Sequence, residues 1–169
     1  MNLSTELQKQ ELLDQIGQAL DGKLSARQAG LARDYLAYYF RQVPMEELTR
    51  DNPEVLARVI ADQLKFLGRR AAGETLIRVF NPLKRKHGWE SVHTIIEMVN
   101  DDKPFLVDSA TLALSEMNLD VHLIIHPVIR VQRDRIGRLL AITDKEDNKY
   151  TAESVVQIQI NRQTRAEDT

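Results

Sequence analysis

The sequence predicts an α+β chain, with helices first and then a mostly antiparallel sheet that has a helix packed on one face. Three observations predict it. Up to Leu67 the apolar residues recur every three or four positions, as in Leu56, Ile60, Leu64 and Leu67, the period of a helix with one buried stripe. Near the end of the chain Val156, Ile158 and Ile160 alternate with Gln157, Gln159 and Asn161, the period of a strand. Between them, Asn100, Asp101 and Asp102 place acceptor side chains, and Pro104 a missing N–H, where a helix can begin.

In chain order, Ser4 or Thr5 can cap a helix reaching about Leu20, with Leu13, Ile16 and Leu20 on one face and Asp21-Gly22 at its end. Ser25 and Gln28 have capping-box spacing and open a second helix, whose Leu31, Tyr35 and Tyr38 form a stripe closed by Val43-Pro44. Its aromatic residues read as core packing. Met45 to Leu48 is one short turn. Asp51-Asn52-Pro53 then starts a third helix that runs to Gly68.

Past Arg69 to Gly73, Thr75 to Phe80 reads as a strand stopped by Asn81-Pro82, and the basic run Lys84-Arg85-Lys86-His87 as a solvated loop. Val92 to Val99 is apolar or β-branched on both alternating faces, so it is expected to be a central strand covered on two sides. Asn100 to Phe105 is the expected turn. The helix from Phe105 to about Leu119 should lay Leu106, Ala110, Ala113 and Met117 on the sheet. Val121 to Val131 reads as one long strand with an edge or bulge at Pro127, and Gly137 to Ile142 as its hairpin partner after a turn at Asp134 to Gly137. A polar loop over Thr143 to Thr151 leads into a last strand, Ser154 to Asn161, with Gln157, Gln159 and Asn161 facing outward. The expected divisions are a helical region over 1–70, a sheet region over 74–161 and a polar tail over 162–169.

Composition narrows the function classes. The 169 residues carry a net charge of −2, with 28% charged residues of both signs interspersed and no cysteine. That balance gives no electrostatic footprint for nucleic acid or an anionic membrane. Lack of cysteine removes disulfides, thiol nucleophiles and thiolate metal sites, and fits a reducing compartment. No apolar run approaches the roughly 20 residues that span a bilayer, and the start lacks a signal-peptide pattern. A cytoplasmic location is expected.

Catalytic signatures are missing. No two glycines are separated by a single residue and no Gly-Lys-Ser/Thr ends a phosphate loop, so neither nucleotide-binding device can be written here. No serine sits in a Gly-x-Ser-x-Gly elbow, and Asp108-Ser109 is expected to face solvent or a neighbouring strand. His122 and His126 share a strand face but lie about 13 Å apart along it, too far to ligate one ion; His93 and His126 on neighbouring strands remain a geometrically allowed pair. Asp101, Asp102 and Asp108 lack the spacing of a calcium loop. No metal site is expected. The candidate ligand site is the turn Asn100, Asp101, Asp102, Lys103, Pro104 and Phe105, because N–H groups at a helix start can hold a carboxylate and a nearby acid an amine. The competing reading is that Asp102 caps those N–H groups itself.

The stretch from His93 through Pro104-Phe105-Leu106-Val107-Asp108-Ser109, with Ile125-His126-Pro127-Val128 and Arg133-Asp134-Arg135-Ile136-Gly137, resembles the N-terminal region of the large bacterial NAD-specific glutamate dehydrogenases. Val79-Phe80-Asn81-Pro82 and Gly88-Trp89 are similar to the same family. The resemblance covers residues 74 to 161 well and the helical start weakly. It implies an ACT-like, ferredoxin-like regulatory module in a much longer enzyme that converts L-glutamate, NAD and water to 2-oxoglutarate, ammonia and NADH. It also implies that catalysis and NAD binding lie downstream, so that this segment holds no cofactor and no catalytic residue. ACT modules run strand, helix, strand, strand, helix, strand; here the second helix and last strand are lacking, unless the strand at Thr75 substitutes for the missing edge. Where amino-acid-binding ACT modules often have Asp-x-Pro-Gly, this chain has Asp102-Lys103-Pro104-Phe105, and the phenylalanine fills space where a ligand backbone would approach.

The expected function is a non-catalytic regulatory and assembly segment of such an enzyme, with the rest of the parent chain and a homo-oligomer as partners. The alternative is a stand-alone module that senses an amino-acid effector or dimerises. Single-stranded RNA binding ranks last, because Val121 to Val131 and Ser154 to Asn161 project no aromatic residues. Neither nucleic acid nor membrane is an expected partner.

Overall fold

The computed structural model of the chain describes residues 3–41 and 43–164. Four helices come first: α1 (Leu3–Asp21), α2 (Ala26–Tyr39), the single turn α3 (Met45–Leu48) and α4 (Pro53–Leu67). Their starts follow local chemistry. The Ser25 side chain accepts from the Gln28 N–H while the Gln28 side chain reaches back to the Ser25 N–H, completing the capping box. Asn52 caps α4 by accepting from the Val55 N–H, with Pro53 at the first helical position.

The second half is a six-stranded antiparallel sheet made of β1 (Leu76–Phe80), β2 (His93–Asp101), β3 (Val121–Ile125), β4 (Val128–Arg133), β5 (Leu139–Thr143) and β6 (Thr151–Asn161). The strands run β1-β2-β6-β4-β5, and β3 pairs with the far end of β6 beyond β4. The expected long strand over Val121 to Val131 is thus broken at Pro127, and its two pieces share β6 as partner. Pro127 has no N–H to give but its carbonyl accepts from the Val155 N–H. The central strand β2 lies between β1 and β6, in register from His93 opposite Asn161 to Asp101 opposite Glu153.

Both faces of the sheet are covered. On one face α1, α2 and α4 meet Val99, Ile125, Ile129, Val131, Ile142 and Val155 in one core that joins the helical and sheet regions. On the other, α6 (Leu106–Glu116) packs Leu114, with Val107 and Ala110 beside it, onto Val156, Ile158 and Ile160. That second cover is partial. Ile77 and Val79 stand on the α6 face of the edge strand β1, opposite Met98 and Ile96, and each is 60% exposed.

Several local expectations are corrected. Gln157 does not face water: it is 2% exposed, because the first three long helices occupy the face that the alternation left to solvent. The stripe on α6 is rotated, with Val107, Ala110 and Leu114 on the sheet and Met117 67% exposed. The basic run is not an open loop but a helical turn, α5 (Lys84–His87), ended by Gly88 at φ +83°. The polar tail expected over 162–169 lies outside the described residues from 165 onward.

Candidate functional site

The six residues of the candidate turn are divided by the fold. Asn100 and Asp101 remain in β2, opposite Ser154 and Glu153, so the strand runs two residues further than expected. Asp101 is committed, its carboxylate accepting from Arg70 Nη2 at 2.7 Å, and Asn100 accepts from the Asp101 N–H at 2.8 Å. Asp102, Lys103 and Pro104 are exposed. Phe105, 73% exposed, sits before α6 with φ +65°, in the left-handed region that glycine favours. No side chain caps α6. The expected Asp102 cap is therefore absent, and the reason is distance along the chain: the helix begins at Leu106, four residues later. The first-turn N–H groups of α6 lie beside an exposed acid, an arrangement able to meet an anion or a zwitterion.

Burial of charge happens elsewhere, in two networks. Glu153, 1% exposed on β6, accepts from Arg70 Nη1 at 2.8 Å and from both Nε and Nη2 of Arg133 at 2.8 Å. Burial works against the charge of Arg70, but the hydrogen bonds from its guanidinium to Asp101 and Glu153 outweigh it and hold its pKa above the ordinary value. This network seals the junction where α4 hands over to the sheet.

The second network lies under the helices. Glu97, 1% exposed at the middle of β2, accepts from Gln63 at 3.1 Å, from Gln157 at 2.9 Å and from Arg78. Tyr35 donates to Gln63 at 2.7 Å and Tyr39 to Gln157. Arg78 and Trp89 both donate to Asp62. Burial, with Glu97 near both, raises the Tyr35 and Tyr39 phenols well above their usual range, so they stay donors. No reading of the sequence assigned these polar residues to a common site; Gln157 and Glu97 stand directly opposite each other only once β2 and β6 are paired.

The histidines fall differently from the allowed pair. The His93 ring lies against that of His122, tilted by 41° with ring centroids 4.4 Å apart, while His126 bonds the Ser154 hydroxyl through Nε2. Among the described residues no group of three or more histidine, aspartate or glutamate side chains is placed to hold a metal ion. Asp108 and Ser109 are exposed on α6. None of the described helices is long and apolar enough to cross a membrane.

A cavity of about 560 Å³ opens at the end of the molecule where β2 begins, between the helical layer and the sheet. Its lining comes from α2, α3, α4, the segment Pro82 to His93, β3 and β6. Residues so scattered along the chain leave no local motif by which sequence reasoning could have found them.

Comparison with known proteins places this fold. The curated NAD-specific glutamate dehydrogenase of Halomonas elongata is 29% identical over 164 residues, which is 96% of this chain and 10% of that protein. The NAD-specific glutamate dehydrogenase of Pseudomonas aeruginosa is 28% identical over 164 residues, with the same shares of 96% and 10%. This chain thus spans about a tenth of the length of the curated relatives it matches. No solved structure matches it. The family model described as glutamate dehydrogenase, ACT1 domain, matches residues 35–169. With most of its length matched, and with the resemblance read from Pro104 to Ser109 and His126 to Val128 borne out, the chain belongs to the glutamate dehydrogenase ACT1-domain family.

Proposed function

We propose that this chain serves as a non-catalytic regulatory and assembly segment of a cytoplasmic NAD-dependent glutamate dehydrogenase, an enzyme that takes L-glutamate, NAD and water to 2-oxoglutarate, ammonia and NADH. The carrying observation is that nearly the whole chain aligns with a tenth of relatives bearing that name. The structure supports a non-catalytic part, since the buried carboxylates Glu97 and Glu153 are both engaged by arginines in networks that join helices to sheet. Assembly has a candidate surface in the edge strand β1, where Ile77 and Val79 lie open on the α6 face. The test is an NADH assay. The 169-residue chain with L-glutamate and NAD should give no NADH, whereas the longer enzyme that contains it should; turnover by the chain alone sinks the reading.

A second reading, an amino-acid-sensing module, is favoured by the uncapped start of α6, which follows the exposed Asp102 in the chain. Calorimetric titration with the common amino acids, before and after Asp102→Ala, decides it. Heat that disappears in the variant supports the turn; heat that is unchanged, or never seen, removes it.

A further inference from the structure

On its α6 face the sheet lies open towards β1. α6 sits on Val156, Ile158 and Ile160 of β6, Ile96 and Met98 of β2 are half-buried at its side, and beyond them Ile77 and Val79 of β1 are each 60% exposed. Helical spacing puts Leu106, Ala113 and Met117 on one flank of α6, next to its buried stripe, and Asp108, Thr111 and Ser115 on the other. A right-handed crossover from β2 through α6 to β3 turns the apolar flank towards β1. The open strip thus has an apolar floor and an apolar wall. Its floor of two strands is about 10 Å wide, the diameter of one helix, and the five residues of β1 reach about 17 Å, the length of three helical turns.

The chain itself runs onto this strip. After β6 ends at Asn161, the Gln163 N–H donates to Thr94 Oγ1 at 2.8 Å and the Gln163 carbonyl accepts from Asn81 Nδ2 at 2.8 Å, while Thr94 Oγ1 donates to Asn81 Oδ1 at 2.6 Å. Thr94 stands opposite Ile160 and so on the α6 face, and Asn81 directly follows β1. The polypeptide has therefore crossed β2 and reached the end of β1 on the side where Ile77 and Val79 lie open. We propose that in the longer enzyme an amphipathic helix from the polypeptide past Thr169 lies in this strip beside α6 and covers Ile77, Val79, Ile96 and Met98. An apolar floor offers no partner for backbone N–H and C=O groups, which a helix pairs within itself. A second copy of the chain is the competing occupant, but a segment tethered at Gln163 acts at an effective concentration on the order of 1 mM without having to be met in solution. The inference rests on the reading of this chain as a segment of a longer enzyme, since it spans 10% of the relatives it matches, and it names what occupies the β1 surface there.

The 169 residues include no cysteine, so Val79→Cys places a thiol on the strip and Leu112→Cys, at a 62% exposed position of α6, a thiol away from it. Each is made in the 169-residue chain and in a chain carrying about 40 further residues of its own reading frame, enough for a three-turn helix and its connections. Maleimide labelling is followed by peptide mass, so that any cysteine of the added stretch is read apart. In the longer chain Val79→Cys should react at least about tenfold more slowly than in the 169-residue chain. Leu112→Cys should react equally fast in both, and adding Ile77→Asp should return Val79→Cys to its fast rate. Equal rates for Val79→Cys in the two chains, protection that grows with protein concentration in either, or protection that survives Ile77→Asp each overturns the proposal. None of these outcomes touches the NADH assay, whereas a reading frame that stops at Thr169 removes the proposal and the parent-enzyme reading together.

Discussion

Gln63 on α4 donates to Glu97 at the centre of β2 across 3.1 Å, and both side chains are 1% exposed. Together with the bond from Tyr39 to Gln157, it ties the helical layer to the sheet at a point no water reaches. Glu97 is the acceptor for three donors, so removing it strands Gln63, Gln157 and Arg78 together.

Glu97→Ala is therefore expected to cost about 3–5 kcal/mol, the range for leaving a buried charge without its partner. Urea unfolding of the variant checks this. A loss below about 1 kcal/mol would mean that Arg78, which also reaches Asp62, re-pairs without strain.

Gly137 closes the turn between β4 and β5 at φ +83°, and an added Cβ would stand 2.2 Å from the Arg70 carbonyl oxygen. Gly137→Ala should lower stability by about 3 kcal/mol or more, combining a left-handed backbone with a collision against main chain. Gly73, at φ +74°, has nothing within 4 Å of such a Cβ. Gly73→Ala should thus cost only about 1 kcal/mol. Thermal melts of the two variants side by side test the contrast, and equal losses would contradict it.

Phe105 holds its left-handed conformation with most of its ring in water. Phe105→Gly relieves a penalty of about 1–2 kcal/mol while adding the entropy cost of glycine, about 0.5–1 kcal/mol. The net change should lie within about 1 kcal/mol and lean towards stabilisation. A large loss in chemical denaturation would contradict this, because it would mean that packing of the Phe105 ring outweighs its backbone penalty.

Three histidines make stability depend on pH. Desolvation lowers the pKa of His87, His93 and His126 below the ordinary 6.5; at His93 the neighbouring His122 adds to it, and at His126 the Asp102 carboxylate only partly offsets it. The folded state thus prefers the neutral rings, and the unfolded chain binds more protons below about pH 6.5. Their contribution is complete above that value and is lost as the pH falls beneath it. Denaturant midpoints at pH 7.5 and 5.5 should show the drop, and His126→Gln should reduce it. Asp134, held below 3.8 chiefly by the Arg138 N–H, acts only in more acidic solution and does not blur this window.

Much of this architecture was legible in the residues themselves. The capping pair Ser25 and Gln28, the Asn52-Pro53 start and the Gly137 turn are local devices whose energy is spent within a few residues, so their spelling is enough. The change from helical to alternating periodicity likewise separated helices from strands. What only the tertiary structure decided is which faces meet. Gln157 reads as an outward residue by alternation, and is buried because α2 and α4 cover the second face of the sheet. Asn100 and Asp101 read as a turn, and stay in β2 because pairing with Ser154 and Glu153 and a salt bridge to Arg70 hold them there. His93 meets His122 rather than His126 because Pro127 breaks the strand and β3 pairs with β6. In each case the deciding partner is far along the chain, and a side chain's polarity says that it needs a partner without saying where the partner is.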